Sequence, residues 1–329
     1  MTIGIFTHPQ APALDFYRSS GVLAYTDNTL RYLSVTESQW YDLIDCDIIF
    51  FKSPNSQAYV DLVETAKAMG KPILMDYDDN MHSTTPCNPA HKVLGSIENQ
   101  DTVKRCMELA DHIIFSTKAL QDFYTAMFPK IETSVVPNAW NPLIQKWAAM
   151  PEKGDKWKIA WRGAAHHLDD IRTIEQQLTR LSVDKDFELT FVGLTDWISK
   201  HLYPNAEVLD FEPNLFKYFH KYINLGHHYG ICPLVPNEFN LGKSNIFVIE
   251  TLCAGAITIA PVGFPEFDIP GVIQFSDLDH LDDIIESIRK DEIDREKIIT
   301  EGRQYMNEHL RIDKVNAKRI EILNKLKLY

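Results

Sequence analysis

Positive charge is in short supply: the 329-residue chain has 33 Lys and Arg against 46 Asp and Glu, a formal net charge of -13 spread almost evenly over the two halves. A global, nonspecific pull toward nucleic acid or anionic lipid is therefore disfavoured, although a local basic patch remains open. Cysteine is also sparse. Cys46, Cys87, Cys106, Cys232 and Cys253 show no CxxC spacing and most lie in apolar segments, which fits reduced core thiols better than a disulfide framework or a metal site. No apolar run reaches the roughly 18 residues of a membrane span. The start, MTIGIFTH, enters a strand directly with no basic and apolar leader, so a cytoplasmic location is expected. No internal repeat and no low-complexity segment is present.

What is there is a regular alternation. Short β-branched runs at residues 3–7, 30–35, 47–52, 72–76, 112–116 and 133–136 are separated by helical patterns such as 56–69, 101–110 and 117–127. The periodicity pauses at NAWNPLIQKWAAMPEKGDKW, residues 138–157, then resumes with strands at 158–161, 188–192, 207–211, 230–235 and 257–260 and helices at 168–181 and 244–254. Strand-helix-strand succession gives parallel sheets with helices on both faces. The expected architecture is α/β: two Rossmann-like doubly wound domains facing a cleft, with residues 1–140 as the first, 141–157 as linker and 158–310 as the second. Residues 311–329 are expected to form a C-terminal helix packing back through Ile312, Val315, Ile320, Ile322, Leu323 and Leu326, with Arg311, Lys314, Lys318, Arg319, Lys325 and Lys327 as its basic face.

Ligands of such sheets sit beyond the carboxyl ends of strands, which directs attention to a few loops. WRGAAHHLDD, residues 161–170, joins Arg162, small residues, two histidines and a helix start; it suits a phosphate, or is an ordinary turn in which Asp169 and Asp170 complement the helix dipole. FNLGKSNIFVIE, residues 239–250, places Lys243 and Ser244 at a helix start and Glu250 nearly two turns in, amid apolar neighbours. A carboxylate there needs partners, and paired hydroxyls such as those of a ribose would satisfy both oxygens; a solvent-edge glutamate is the plain alternative. In the first half, the loop after the first strand carries His8, Asp15, Tyr17, Arg18 and Gly21, and DYDDN, residues 76–80, puts three carboxylates at a strand end. Acceptor binding or proton removal by Asp78 or Asp79 is one use; a divalent cation on Asp76 and Asp78 is another; capping of a turn by Asp79 and Asn80 is a third. His166 and His167 lack a second ligand pair for zinc. Trp157 and Trp161 could stack a base or fill the seam between sheet and helix.

The order of these features resembles the GT-B-fold glycosyltransferases, in particular the retaining, nucleotide-sugar-dependent group that includes glycogen and sucrose synthases. Glu250 with CAGAITIAPVGFPEF matches the second half of that group's E-x7-E helix and following strand, Lys243 and Ser244 resemble its K-S variant of bacterial and phage members, and SVVPNAW, IAWRG and ELTFVG resemble its interdomain and strand motifs. The first glutamate of E-x7-E falls on Gly242 and is missing. The likeness covers residues 110–265 well and the remainder in layout only.

The resemblance implies an enzyme that moves a sugar from a nucleoside diphosphate donor, a UDP-sugar foremost, to a hydroxyl acceptor with retention and without a metal. Arg162, Gly163, His166, Gly242, Lys243, Ser244 and Glu250 would hold the donor, Glu250 through the ribose. Tyr17, Arg18 and Asp76 are expected at the acceptor, with Asp78, Asp79 and His8 as catalytic candidates. The acceptor stays open among glycan, small molecule and modified DNA, a phage-type hydroxymethylated base included. A sugar-nucleotide epimerase and a non-catalytic nucleotide-sugar or glycan binder are the alternatives.

Overall fold

A computed structural model describes residues 1–6, 12–86, 88–89, 91–193, 198 and 201–328. Two six-stranded sheets account for the twelve strands among them, and every strand pairing is parallel. The first contains β1 (Thr2–Phe6), β2 (Thr29–Leu33), β3 (Ile48–Lys52), β4 (Ile73–Tyr77), β5 (His112–Phe115) and β6 (Thr133–Val135), ordered β2-β1-β3-β4-β5-β6. The second contains β7 (Trp157–Arg162), β8 (Phe187–Val192), β9 (Glu207–Leu209), β10 (Tyr229–Ile231), β11 (Ile257–Pro261) and β12 (Val272–Phe275), ordered β12-β11-β10-β7-β8-β9. Both orders reverse beside the first strand of their sheet, the place where a doubly wound fold opens a ligand crevice. Central strands such as β3 and β4 are buried at every residue, which explains why they read as continuous apolar runs.

Most expected elements are present with shifted ends. The 101–110 helix begins earlier, at Ile97, because the Ser96 side chain accepts from Asn99 N and caps it. The 168–181 helix is broken into Leu168–Arg172 and Glu175–Val183. The 230–235 strand stops at Ile231, before Pro233, which has no N–H for a ladder. The helix expected from 244 begins at Ile246. Strand β12 went unread, although Gly271 and Ser276 bracket its four residues.

The chain crosses between domains twice, side by side. Trp140 N donates to Leu310 O and Ile312 N to Trp140 O, so the outgoing and returning segments form one short parallel bridge. Beyond it the Ile312–Leu326 helix packs on the first domain, burying Ile312, Val315, Ile322, Leu323 and Leu326 against Ile3, Ile5 and Phe50. Its buried stripe includes Asn316 and Arg319, whereas Ile320 is on the exposed side; the i, i+3, i+4 spacing from Ile312 selects 319 rather than 320. Arg319 is accommodated by Asn316 Oδ1 at 2.9 Å, and burial, with Arg18 nearby, lowers its guanidinium pKa to about 9.

Trp157 and Trp161 are buried in the core of the second domain, the packing alternative of the two weighed for them. Cys46, Cys106, Cys232 and Cys253 are free and buried; Cys87 is outside the described residues. Among the described residues no helix is long and apolar enough to cross a membrane.

Candidate functional site at the domain seam

On the first-domain side, β4 delivers Asp76 inside the sheet and Asp78 and Asp79 just beyond it. Asp76, fully buried, is held by Arg18 in a two-point pair, Nε to Oδ1 at 2.9 Å and Nη2 to Oδ2 at 2.7 Å. Arg18 spends its remaining reach on Val136 O and Asn138 Oδ1, at 2.7 and 3.2 Å. Lys52, the last residue of β3 and also buried, sits 2.5 Å from Asp78 Oδ1 and 3.8 Å from Asp76 Oδ1. The crowding of carboxylates at this strand end is thus neutralised from within the domain, and the positions a divalent cation would need on Asp76 and Asp78 face an ammonium and a guanidinium. Sequence reasoning missed Lys52; a lysine closing the otherwise apolar strand IIFFK was the available signal.

Asp79 differs from its neighbours. Its partner is Lys243 of the second domain, Nζ to Oδ1 at 2.7 Å, and a third of its side chain is exposed. Burial, which would raise its pKa, is outweighed by the charge and hydrogen bond of Lys243, which hold the carboxyl down to about 2.

On the second-domain side, Glu250 is buried in the Ile246–Cys253 helix. Oε1 accepts from Tyr17 OH at 2.9 Å and Oε2 from Tyr218 OH at 2.6 Å, while Arg162 Nη2 lies 3.0 Å from Oε2. Burial pushes both phenols far above their usual range, so they remain protonated donors. The Arg162 contact is off the N–H axis. Its Nε and Nη2 are buried without a hydrogen bond, leaving a guanidinium with unspent donors above the Phe247 ring at 4.9 Å. Such donors suit an oxyanion.

The Lys243 loop is pressed against the first domain. Lys243 Nζ also lies 4.2 Å over the Phe239 ring, Ser244 Oγ accepts from Asn138 Nδ2 at 2.7 Å, and Gly242 O accepts from Thr117 Oγ1 at 3.3 Å. A Cβ on Gly242 would lie 2.7 Å from Leu120 Cδ2, so a side chain at this position requires Leu120 of the facing domain to shift. That contact gives a steric reason for the missing first glutamate.

The loop after β7 is organised by Asp170, which sequence reasoning had considered only as a dipole complement. Buried, it takes His167 Nδ1 on Oδ2 at 2.8 Å and both Val235 N and Asn240 Nδ2 on Oδ1 at 2.8 and 2.7 Å, tying this loop to those after β10. Gly163 leaves space for the Trp161 ring, which would lie 2.5 Å from an added Cβ. The His166 and His167 rings lie 4.3 Å apart, tilted by 48°. Desolvation within the cleft, then the neighbouring His167 and Lys243, lowers the His166 pKa to about 3, and burial lowers His167 too. Both are neutral at pH 7 and act as hydrogen-bond groups rather than cations.

The structure therefore brings Tyr17, Asp79, Gly242, Lys243, Ser244, Glu250 and Arg162 to one seam, and places Arg18 and Asp76 in a buried pair behind it. His8 lies outside the described residues. Among the described residues no group of three or more His, Cys, Asp or Glu is arranged to hold a metal.

This geometry belongs to the GT-B fold. HepE of Anabaena, solved with UDP and glucose, superposes with a TM-score of 0.70 at 12% identity over 99% of this chain and 100% of that one. Sucrose-phosphate synthase of Thermosynechococcus elongatus gives 0.64 at 14% identity over 99% and 98%, and a glycosyltransferase of Rickettsia africae 0.65 at 12% over 99% and 98%. No protein-family profile matches the chain, and no curated protein matches it either.

Proposed function

We propose that the protein is a glycosyltransferase that moves a sugar from a nucleoside diphosphate donor, a UDP-sugar, to a hydroxyl acceptor, with retention and without a metal. The observation that carries this reading is Arg162: a buried guanidinium whose Nε and Nη2 make no hydrogen bond, although Nη2 lies 3.0 Å from Glu250, in a GT-B fold whose Lys243 and Ser244 meet the first domain. As the bond between the anomeric carbon and the diphosphate breaks, negative charge grows on the leaving group. Fixed cations that meet this charge stabilise the transition state more than the ground state.

In this reading Arg162, Lys243 and Ser244 hold the diphosphate, the Gly242 and Gly163 backbones keep the approach open, and the neutral His166 supplies a hydrogen bond. Glu250 takes the ribose hydroxyls on the oxygens that Tyr17 and Tyr218 now occupy. UDP is the preferred nucleotide because HepE, with the same fold, has been solved with UDP and with UDP-glucose. Arg162 and Lys243 would neutralise the diphosphate charge that a divalent cation otherwise meets, which supports metal independence. Asp79 faces the second domain from the acceptor side, while Asp78, paired with Lys52, and Asp76, paired with Arg18, are buried behind it. The binding-module alternative drew on the missing glutamate, and the contact of Gly242 with Leu120 supplies a packing reason for that absence.

The test is release of UDP from UDP-glucose and other UDP-sugars in the presence of an acceptor panel spanning glycans, small polyols and hydroxymethylated DNA. Acceptor-dependent UDP release without magnesium is expected. Conversion of the sugar nucleotide itself with no acceptor would indicate epimerisation instead.

A further inference from the structure

Three of the groups read above as donor ligands are already met by side chains of the opposite domain. Asp79 stands on Lys243 at 2.7 Å, Asn138 on Ser244 at 2.7 Å and Tyr17 on Glu250 at 2.9 Å. Two of these contacts match the chemistry of a nucleotide sugar, a carboxylate oxygen on the ammonium and a hydroxyl on the carboxylate; the third, in which Asn138 donates to Ser244 Oγ, leaves the serine O–H free to donate.

Among the three carboxylates after β4, Asp79 alone depends on the other domain. Asp76 is fixed by Arg18, and Asp78 by Lys52, with side chains 0% and 8% exposed. Asp79 is 33% exposed, and Lys52 is committed to Asp78, so among the described residues no cation besides Lys243 is paired with Asp79. A diphosphate and a carboxylate crowded on one ammonium in a cleft repel each other strongly, because the surrounding dielectric is low.

We propose that Asp79 and the donor diphosphate are alternative partners of Lys243, so that donor binding frees the Asp79 carboxylate to accept a hydrogen bond from the acceptor hydroxyl. The inference rests on the donor reading and adds an order to it: the acceptor's anchor is masked until the donor has arrived. Tyr17 and Glu250 undergo the parallel exchange, with ribose hydroxyls replacing the phenol. The groups that face Asp79 are Lys243, Lys52, His166, His167 and Tyr124, of which His166 and His167 are neutral, so Lys243 is the cation whose loss Asp79 reports most directly.

The experiment uses the full chain and UDP as probe. Asp79→Asn removes the competitor, and UDP should bind about threefold tighter or more, the scale of one partly exposed ion pair. The gain should vanish in a Lys243→Met background. Asp79→Ser repeats the test if the asparagine variant melts early. In the wild type, the carboxyl carbon of Asp79, identified by its loss in Asp79→Asn, should titrate near 2 in free protein and move toward the ordinary value of about 4 when UDP is saturating. Unchanged or weaker UDP binding by both Asp79 variants would overturn the proposal, as would a titration that saturating UDP leaves in place. If UDP, GDP, ADP and dTDP all fail to bind the wild type, the donor reading itself falls and takes this inference with it.

Discussion

The two sides of the seam solve the same electrostatic problem differently. The first domain neutralises Asp76 and Asp78 with its own Arg18 and Lys52, all deeply buried. The second leaves Arg162 Nε and Nη2 without a hydrogen bond and lets Lys243 and Ser244 borrow partners from across the cleft, while Glu250 takes Tyr17 from across it and Tyr218 and Arg162 from its own domain. A pair closed within one domain belongs to the fold and is costly to open. A borrowed partner can be exchanged for a ligand, so on the proposed function the asymmetry separates scaffold from binding surface.

The largest effect expected from disturbing this contrast is on the scaffold side. Arg18→Leu leaves Asp76 as a buried, unpaired charge and should destabilise the protein by about 3–5 kcal/mol, read from denaturant unfolding. A loss below about 1 kcal/mol would mean that the pair is as exchangeable as those across the cleft, and the distinction would fail. Next comes Gly242→Glu, which restores the missing acid. Its Cβ meets the end of the Leu120 side chain, which must turn aside, so a stability cost of about 1 kcal/mol is expected in denaturant unfolding. An unchanged stability would remove the steric account of Gly242.

The smallest effect is acid sensitivity of the borrowed pair. Asp79 is depressed in the folded state to about 2, so its contribution is present at neutral pH, begins to fall as pH drops through the unfolded value near 4, and is gone below about 2. Because a third of the side chain is exposed, screening limits it to under about 1 kcal/mol. The difference in stability between wild type and Asp79→Asn, measured from pH 6 down to pH 2, should shrink over that window; a constant difference would refute the pairing.

Much of the fold was legible because its signals are local. Period-two and continuous apolar runs marked eleven of the strands, and residues 138–157 were read as a boundary because that periodicity pauses there. Arg162, Lys243 and Asp79 became candidates for the same reason: each lies at the end of, or beside, a recognisable element. What was not legible depends on distance in the chain. Tyr17 and Glu250 are 233 residues apart, and nothing near either names the other. Lys52 read as the end of an apolar strand, and its match to Asp78 needs the β3-β4 register. Asp170 looked like a dipole charge until the loops after β10 closed on it. Ile320 and Arg319 were exchanged because hydrophobicity suggested one face and helical spacing dictated another.

The most direct test of the central claim, that the seam between the domains holds a nucleoside diphosphate, is calorimetric titration of UDP without magnesium into wild type and Lys243→Met. The account predicts saturable binding to the wild type and a loss of about tenfold or more in the variant, the scale of one charge-assisted hydrogen bond. Equal affinity in both proteins, with the variant folded, would place the nucleotide elsewhere and contradict it.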